Sequence, residues 1–385
     1  MKKRLTLPSI LAGCCLLAAC QSHTPSALQH SSDTDTDPTA LAEPLMIGGY
    51  TGDDTDSSQG IYLTGVNADT ALPSRFDDRQ LLVATHNPSW LLASDKAGVV
   101  YAVDETDAGK IQVLSREGQL LQSISSEGAA PCHLSLSDDG HWLAVSNYMG
   151  GNFAVYRVAD DGTLTLVDSR AHSGHGPNAD RQEAPHMHWA GWGPDGSTLY
   201  AVDLGIDKVM AYSFDAHTGR LGNGKVALNT APGAGPRHLL FHVNGRDVYL
   251  INELDNTLQH LLIESDGRLT SQQVISTLPA DFKGHSQAAH IASNRAGDRL
   301  YISNRGFHSI AVFSVAEDGS LKLLQLQSSL GDWPRHFSLL EDAGLLVVAN
   351  EHSNQLVLFS LNEDGTLAPT DSRLPVGAPT FVGPY

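Results

Sequence analysis

The sequence predicts an all-β fold, a seven-bladed β-propeller whose last blade is closed by N- and C-terminal strands. Three observations predict it: a strand-turn-strand unit that recurs along the chain, a polar turn that recurs between the units, and one unit divided between the two chain ends. The chain has 385 residues, more than the roughly 250 to 300 residues that a single hydrophobic core usually serves. A repeat or two domains is therefore expected.

Residues 1–19 are expected to be an export signal outside this fold. The cationic start MKKR precedes an apolar run that is too short to span a bilayer as a helix. The following Leu17-Ala18-Ala19-Cys20 resembles a bacterial lipobox, where cleavage leaves Cys20 lipidated; ordinary signal cleavage is the alternative. Gln21 and Ser22 offer no aspartate of the kind that retains lipoproteins at the inner membrane. The expected location is the periplasmic side of the cell envelope, anchored in the outer membrane.

Residues 20–43 are expected to be the lipidated cysteine and a disordered tether, because Ser, Thr, Asp and Pro dominate them. The propeller is expected over 44–385. Loss of the signal would remove three cationic residues and change the formal charge from −19 to −22. Such an acidic surface argues against nucleic acid or anionic lipid as a partner, which leaves the lipid anchor as the only membrane contact. Cys132 would then be the one cysteine of the propeller, without a disulfide partner.

The recurring unit runs from a turn, often led by proline, through two short strands to an Asn or Asp. Copies read PCHLSLSDDGHWLAVSNY, PRHLLFHVNGRDVYLINEL and PRHFSLLEDAGLLVVANE. One slot near the start of the copies holds Trp90, His133, His188, His238, His290 and His336. The closing Asn or Asp follows this slot after 14 residues in five copies and after 15 in the copy of His188.

A polar turn that ends in Leu, such as DDGTL or EDGSL, occurs seven times between the copies. The C-terminal APTFVGPY repeats only the first strand of a unit, and the N-terminal LMIGGYTG only its later part. Short strands with frequent turns and a split unit are typical of a propeller closed by its two ends. An open β-sandwich would leave the split unit unexplained.

Polar residues are expected to gather at one mouth of the central channel, because the two strands of each unit are antiparallel neighbours. The residues before the first strands include His186, His188, Arg237, His238, Arg335 and His336, and those after the second strands are Glu105, Tyr148, Asp203, Glu253, Arg305 and Glu351. Hydrogen bonds to blade turns could explain the Asn and His residues. Arginine is a bidentate ligand for carboxylate, phosphate or oxyanions, so a site for a small anionic or polar ligand is expected.

The histidine-rich loop HSGHGPNADRQEAPHMH, residues 172–188, should lie over this mouth. His186 and His188 could ligate zinc with His172 or His175, but alternate residues of a strand point to opposite faces. No metal or other cofactor is therefore expected. A serine-hydrolase G-x-S-x-G motif is absent from the sequence.

Nine motifs resemble, in order, those of the propeller lactonase family, which includes bacterial 6-phosphogluconolactonases and fungal carboxymuconate lactonizing enzymes. Among them are IGGYTG, SNYMGGN, GPN with RQ and PHMH, GPRHLLFH, NELDNT and PRHF, spread over residues 45–385. The resemblance implies a pocket formed by His188, Glu253, Arg237 and Arg305. Arg181, Gln182 and His186 of the loop lie nearby in the sequence, and they are expected to bind substrate together with His238, Arg335 and His336.

One departure from the family pattern concerns the sixth unit, where an acid is replaced by His290 and a histidine by Ala292. The expected function is hydrolysis of a sugar lactone by a monomer, with His188 or Glu253 as the base. The export signal favours an unphosphorylated periplasmic lactone over 6-phosphogluconolactone. The alternatives are lactone formation by cycloisomerisation and a non-enzymatic propeller that binds an envelope ligand or protein.

Overall fold

The computed structural model describes residues 44–53, 56–67 and 75–385. The expected signal peptide, Cys20 and the tether lie outside these residues. Within them, no helix is long and apolar enough to cross a membrane. The described part of the chain is built from β-strands and one short 3-10 helix, Glu341–Ala343.

Seven antiparallel sheets of four principal strands form the blades of the propeller. From the channel outwards, blade 1 contains Pro379–Pro384, Leu45–Gly49, Gly60–Thr64 and Gln80–Ala84. Blade 2 contains Leu91–Ser94, Val99–Asp104, Lys110–Ser115 and Leu120–Ser125, and blade 3 contains Pro131–Leu136, Trp142–Asn147, Asn152–Val158 and Leu164–Ala171. Blade 4 contains Met187–Trp192, Thr198–Asp203, Lys208–Asp215 and Lys225–Asn229, with a short strand at Arg220–Leu221.

The last three blades follow the same pattern. Blade 5 contains Pro236–Phe241, Asp247–Asn252, Thr257–Ile263 and Leu269–Ser276. Blade 6 contains Gln287–Ser293, Arg299–Arg305, Ser309–Val315 and Leu321–Ser328, and blade 7 contains Pro334–Leu340, Leu345–Asn350, Gln355–Leu361 and Leu367–Pro375. A two-stranded hairpin, Val66–Asn67 with Arg75–Phe76, stands outside this pattern.

The C-terminal strand closes the ring, as the split unit predicts. Ile47 pairs with Val382 and Gly48 with Phe381 in antiparallel register. Ile47 and Val382 also belong to one core cluster, in which each is at most 1% exposed. The closed ring leaves no unpaired strand at this junction, where an open propeller would expose two.

The recurring polar turn holds neighbouring blades together, which explains its composition. The Gly carbonyl of the turn accepts a hydrogen bond from a buried tyrosine of the preceding blade, as in Tyr249 to Gly319 at 3.1 Å and Tyr301 to Gly365 at 2.8 Å. Gly319 adopts φ +81°, and a Cβ there would meet His260 at 2.4 Å, so other residues are disfavoured. The turn Leu367 also pairs through its backbone with the side-chain amide of Gln325.

The Asn that closes the second strand has a structural role, which the hydrogen-bonding explanation anticipated. Asn147 donates to the carbonyl of Ser126 at 2.7 Å, and Asn304 donates to Thr277 at 3.1 Å. Both carbonyls belong to the end of the preceding blade. These Asn residues therefore fix the blades at the mouth.

Candidate active site

A β-bulge in the innermost strands brings two consecutive residues of each blade to the channel. The register shifts by one residue in the inner strands of blade 1 and of blades 3 to 7, for example between Pro236 and His238. A bulge redirects a side chain that would otherwise face the sheet surface. As a result, Arg237 Nη1 lies only 3.1 Å from Nε2 of its neighbour His238.

The second residue of each pair belongs to a plug that fills the channel. The plug consists of Trp90, His133, Trp189, His238, His290, His336 and Phe381. The rings are in contact; His290 and His336 stack with centroids 3.9 Å apart. Burial, together with neighbouring charges, lowers the pKa of His290 to about 3, and it holds the pKa of His238 well below its usual range. These imidazoles are therefore neutral.

The first residue of each pair lies one layer nearer the mouth. This layer contains Ser89, Cys132, His188, Arg237, Ala289, Arg335 and Thr380. The sequence alignment placed His188 in the plug slot, and the structure corrects this: Trp189 fills the slot. The odd spacing of 15 residues was the signal, because Trp189 restores the common spacing of 14 to Asp203.

A second ring of mouth residues stands at the ends of the second strands. It contains Tyr50, Glu105, Tyr148, Leu204, Glu253, Arg305 and Glu351. Asp203, which the sequence suggested for this ring, is fully buried beneath it. Its carboxylate accepts hydrogen bonds from the backbone of His186 and Gly205 and contacts His172 at 2.8 Å.

Glu253 is the centre of an ion-pair cluster at the mouth. Its Oε1 lies 2.6 Å from Nη2 of Arg181, and its Oε2 lies 3.0 Å from Nε of Arg237 and 2.8 Å from Nη2 of Arg305. Burial raises the pKa of Glu253, but the three guanidiniums outweigh this effect and hold it well below the usual range. We call these residues, with His188, the Glu253 cluster.

His188 completes the cluster. Its Nε2 lies 4.0 Å from Oε2 of Glu253, and its Nδ1 lies 3.8 Å from Sγ of Cys132. Burial and the charge of Arg237 hold the pKa of His188 well below its usual range, although Glu253 opposes them. The imidazole is therefore neutral at physiological pH and can accept a proton.

Two guanidiniums of the cluster keep donors available. Arg237 Nη2 and Arg305 Nη1 have no hydrogen-bond partner among the described residues, and the buried Nε of Arg305 has none either. Burial and the neighbouring Arg305 lower the pKa of Arg237 to about 9, so it remains charged at neutral pH. Such donors can hold an oxyanion.

The histidine-rich loop forms one wall of the mouth, as predicted. His186 stacks on Tyr148 at 4.5 Å, and Arg181 Nη2 lies 3.2 Å from the Tyr148 hydroxyl. The loop is anchored by Gln182, whose amide donates to Leu204 and Asp207.

Three residues predicted to bind substrate lie away from the mouth. Gln182 is fully buried and hydrogen-bonded inside the loop. His238 and His336 are 3% and 6% exposed and belong to the plug, so a ligand at the mouth would not reach them. The replaced residue His290 also lies in the plug, while Ala289 occupies the mouth layer. The departure from the family pattern therefore alters the plug rather than the Glu253 cluster.

The histidines considered for zinc have other partners. His172 contacts Asp203 and, at 2.9 Å, Tyr212, whereas His186 contacts the Tyr148 carbonyl and Glu183. Among the described residues, no group of three or more His, Cys, Asp or Glu could hold a metal ion.

Sequence reasoning missed three residues at this mouth. Ser89 and Tyr50 contact Glu105, and Trp333 lies under the guanidinium of Arg305 at 5.5 Å. Ser89 and Tyr50 could have been found from the register, because each stands at the mouth position of its blade. Trp333 could not, since it precedes the repeat.

Comparison with known proteins gives one consistent result. The sequence model of the family Lactonase, 7-bladed beta-propeller matches residues 44–384. The chain is 34% identical over 346 residues to the 6-phosphogluconolactonase of Bacillus subtilis (strain 168), covering 87% of this chain and 97% of that protein.

Solved structures agree with the sequence comparison. The periplasmic gluconolactonase PpgL of Pseudomonas aeruginosa has a TM-score of 0.80 and 30% identity, with 89% of this chain and 98% of that chain covered. A putative 6-phosphogluconolactonase of Bacteroides fragilis has a TM-score of 0.78 and 29% identity, with 90% and 99% covered.

Proposed function

The chain belongs to the seven-bladed propeller lactonase family, and we propose that it hydrolyses an unphosphorylated sugar lactone at the Glu253 cluster. The general activity, lactone hydrolysis, is shared with relatives named 6-phosphogluconolactonase and gluconolactonase. The observation that supports this site is one carboxylate held by three arginines beside a neutral histidine.

His188 is the proposed general base. Each oxygen of Glu253 already contacts guanidinium groups, and the low pKa of this carboxyl makes it a weak base. The neutral imidazole of His188 can take a proton from the water that attacks the lactone carbonyl. The resulting imidazolium would be stabilised by Glu253 at 4.0 Å. A positioned base contributes a rate factor of about 10² to 10⁴.

Arg237 and Arg305 are the proposed oxyanion donors. Attack of water moves negative charge onto the carbonyl oxygen, and the ring oxygen then leaves as a hydroxyl after accepting the proton from His188. The free donors of the two guanidiniums suit the developing charge, and Glu253 fixes both groups in advance, so little reorganisation is needed. Loss of one such donor typically lowers the rate about 10² to 10³ fold.

An export route supports the choice of an unphosphorylated substrate. We propose that residues 1–19 are removed, that Cys20 is lipidated, and that residues 20–43 tether the propeller on the periplasmic side of the outer membrane. Phosphorylated sugar intermediates belong to the cytosol. A lactone outside the inner membrane would therefore lack the phosphate.

The test is an assay of the purified protein with glucono-δ-lactone and with 6-phosphogluconolactone, each with and without EDTA. We expect turnover of the unphosphorylated lactone that EDTA does not reduce. Absence of hydrolysis with both lactones would contradict the proposal. Loss of activity in EDTA that zinc restores would contradict the assigned chemistry.

A further inference from the structure

The mouth has a second polar cluster that the proposed reaction does not use. It is contributed by blades 1, 2 and 7 and consists of Tyr50, Ser89, Glu105, Arg335 and Glu351, which we call the Arg335 cluster. It faces the Glu253 cluster across the ring of blades. The Glu253 cluster contains three guanidiniums and one carboxylate, whereas the Arg335 cluster contains one guanidinium and two carboxylates. The mouth is therefore electrostatically asymmetric.

Arg335 is held in place without using its donors. Its guanidinium lies over the Tyr50 ring at 5.1 Å and stands 3.9 Å from Glu105 and 3.7 Å from Glu351. Both distances exceed a hydrogen bond, and Arg335 donates none to any described residue. A side chain that is only 17% exposed and has five N–H donors available is suited to a polar ligand.

The two carboxylates offer complementary acceptors. Glu105 is fixed by the hydroxyls of Tyr50, at 3.0 Å, and Ser89. Glu351 has a buried Oε2 with no hydrogen-bond partner. Nearby, the buried Nε of Arg305 also has none. Unpaired buried polar atoms are costly, so a ligand that donates and accepts at this place would stabilise the cluster.

We infer that the Arg335 cluster binds the hydroxyl groups at the end of the sugar remote from the lactone carbonyl and disfavours a phosphate at that end. A hydroxyl both donates and accepts, which fits free guanidinium donors beside carboxylates. A phosphate only accepts and requires net positive charge, which Glu105 and Glu351 remove. Rejection of a competing substrate by a like charge is a common basis of specificity. This inference rests on the proposed function.

The test compares wild-type protein with Glu351→Gln. Burial raises the pKa of Glu105, so Glu351 is the carboxylate whose charge the variant should remove. The wild type should prefer glucono-δ-lactone to 6-phosphogluconolactone, and Glu351→Gln should shift the ratio of their kcat/KM values about tenfold towards the phosphorylated lactone. Glu363→Gln, at an exposed turn, is the matched control and should leave the ratio unchanged. Thermal unfolding of both variants verifies that they fold.

A binding measurement separates this inference from the proposed function. Calorimetry with the glucono-δ-lactam, which has a ring NH in place of the ring oxygen, and with its 6-phosphate reports selectivity without turnover. Turnover with an unchanged ratio in Glu351→Gln, or a wild-type preference for the phosphorylated lactone, would overturn the inference and leave lactone hydrolysis standing. Absent turnover with lactam selectivity that depends on Glu351 would overturn the proposed function alone. Absence of both turnover and lactam binding would overturn both.

Discussion

Arg237 donates from Nε to Oε2 of Glu253 over 3.0 Å, and both side chains are at most 4% exposed. The two residues come from adjacent strands of blade 5, so the pair forms within one blade. Arg305 of blade 6 and Arg181 of the loop then add to the same carboxylate. The active-site geometry therefore depends on how neighbouring blades meet, and ultimately on closure of the ring.

Opening the ring should destabilise the whole protein. Val382→Asp places a carboxylate in the core between Leu45 and Ile47, where Val382 is fully buried. Burial of an unpaired polar group costs about 2 to 7 kcal/mol, so the free energy of unfolding should fall by at least about 2 kcal/mol. Chemical denaturation measures it. Val243→Asp is the control, because Val243 is 68% exposed; equal effects of the two changes would contradict closure by this strand.

Stability should fall as the pH decreases below about 6.5, the usual histidine pKa. Burial lowers the folded-state pKa of His133, His188, His238, His290 and His336. Below pH 6.5 the unfolded chain binds protons that the folded chain does not, so stability is full above this pH and is lost as the pH falls towards about 3, the folded-state value of His290. Each such histidine contributes up to about 1.4 kcal/mol per pH unit.

Urea denaturation between pH 5 and 8 measures this dependence. His290→Gln should reduce the slope by about one proton, whereas His141→Gln, at an exposed site, should not change it. Stability that is constant from pH 8 to pH 5 would show that the plug histidines are not buried as described.

The loop over the mouth should control substrate affinity. Gln182→Ala removes the amide that donates to Leu204 and Asp207 and accepts from the Asn178 backbone. Arg181 would then be held less firmly, and KM for the lactone should rise about tenfold, a typical effect of about 1.4 kcal/mol. His175→Ala, whose side chain contacts only the Gly176 carbonyl, should leave KM unchanged. An unchanged KM in Gln182→Ala would mean that the loop does not hold the substrate.

Much of the fold could be predicted because each repeat marker has its own mechanical role. The turn Gly accepts a bond from the tyrosine of the blade before it, and Asn147 and its equivalents hold the preceding blade. The split unit predicts the pairing of Ile47 with Val382, which the structure confirms. These interactions recur in every part of the ring, so they leave a period in the sequence.

The site was harder to predict because bulges break the alternation of side chains. With simple alternation, His238 and Arg237 would point to opposite faces, yet both point to the channel. Only the spacing of 15 residues after His188 indicated the shift. Burial was also invisible in the sequence: His238 and His336 look like mouth residues until the plug is seen.

The most direct test of the account is the hydrolysis of glucono-δ-lactone by His188→Gln and by Arg237→Gln, measured as kcat/KM beside the wild type. We predict a loss of about 10² fold or more for each variant, since one lacks the base and the other an oxyanion donor. Arg268→Gln, with a guanidinium that is 62% exposed, should keep full activity. If His188→Gln and Arg237→Gln, folded by the criterion of cooperative thermal unfolding, both hydrolyse the lactone at the wild-type rate, the Glu253 cluster is not the active site.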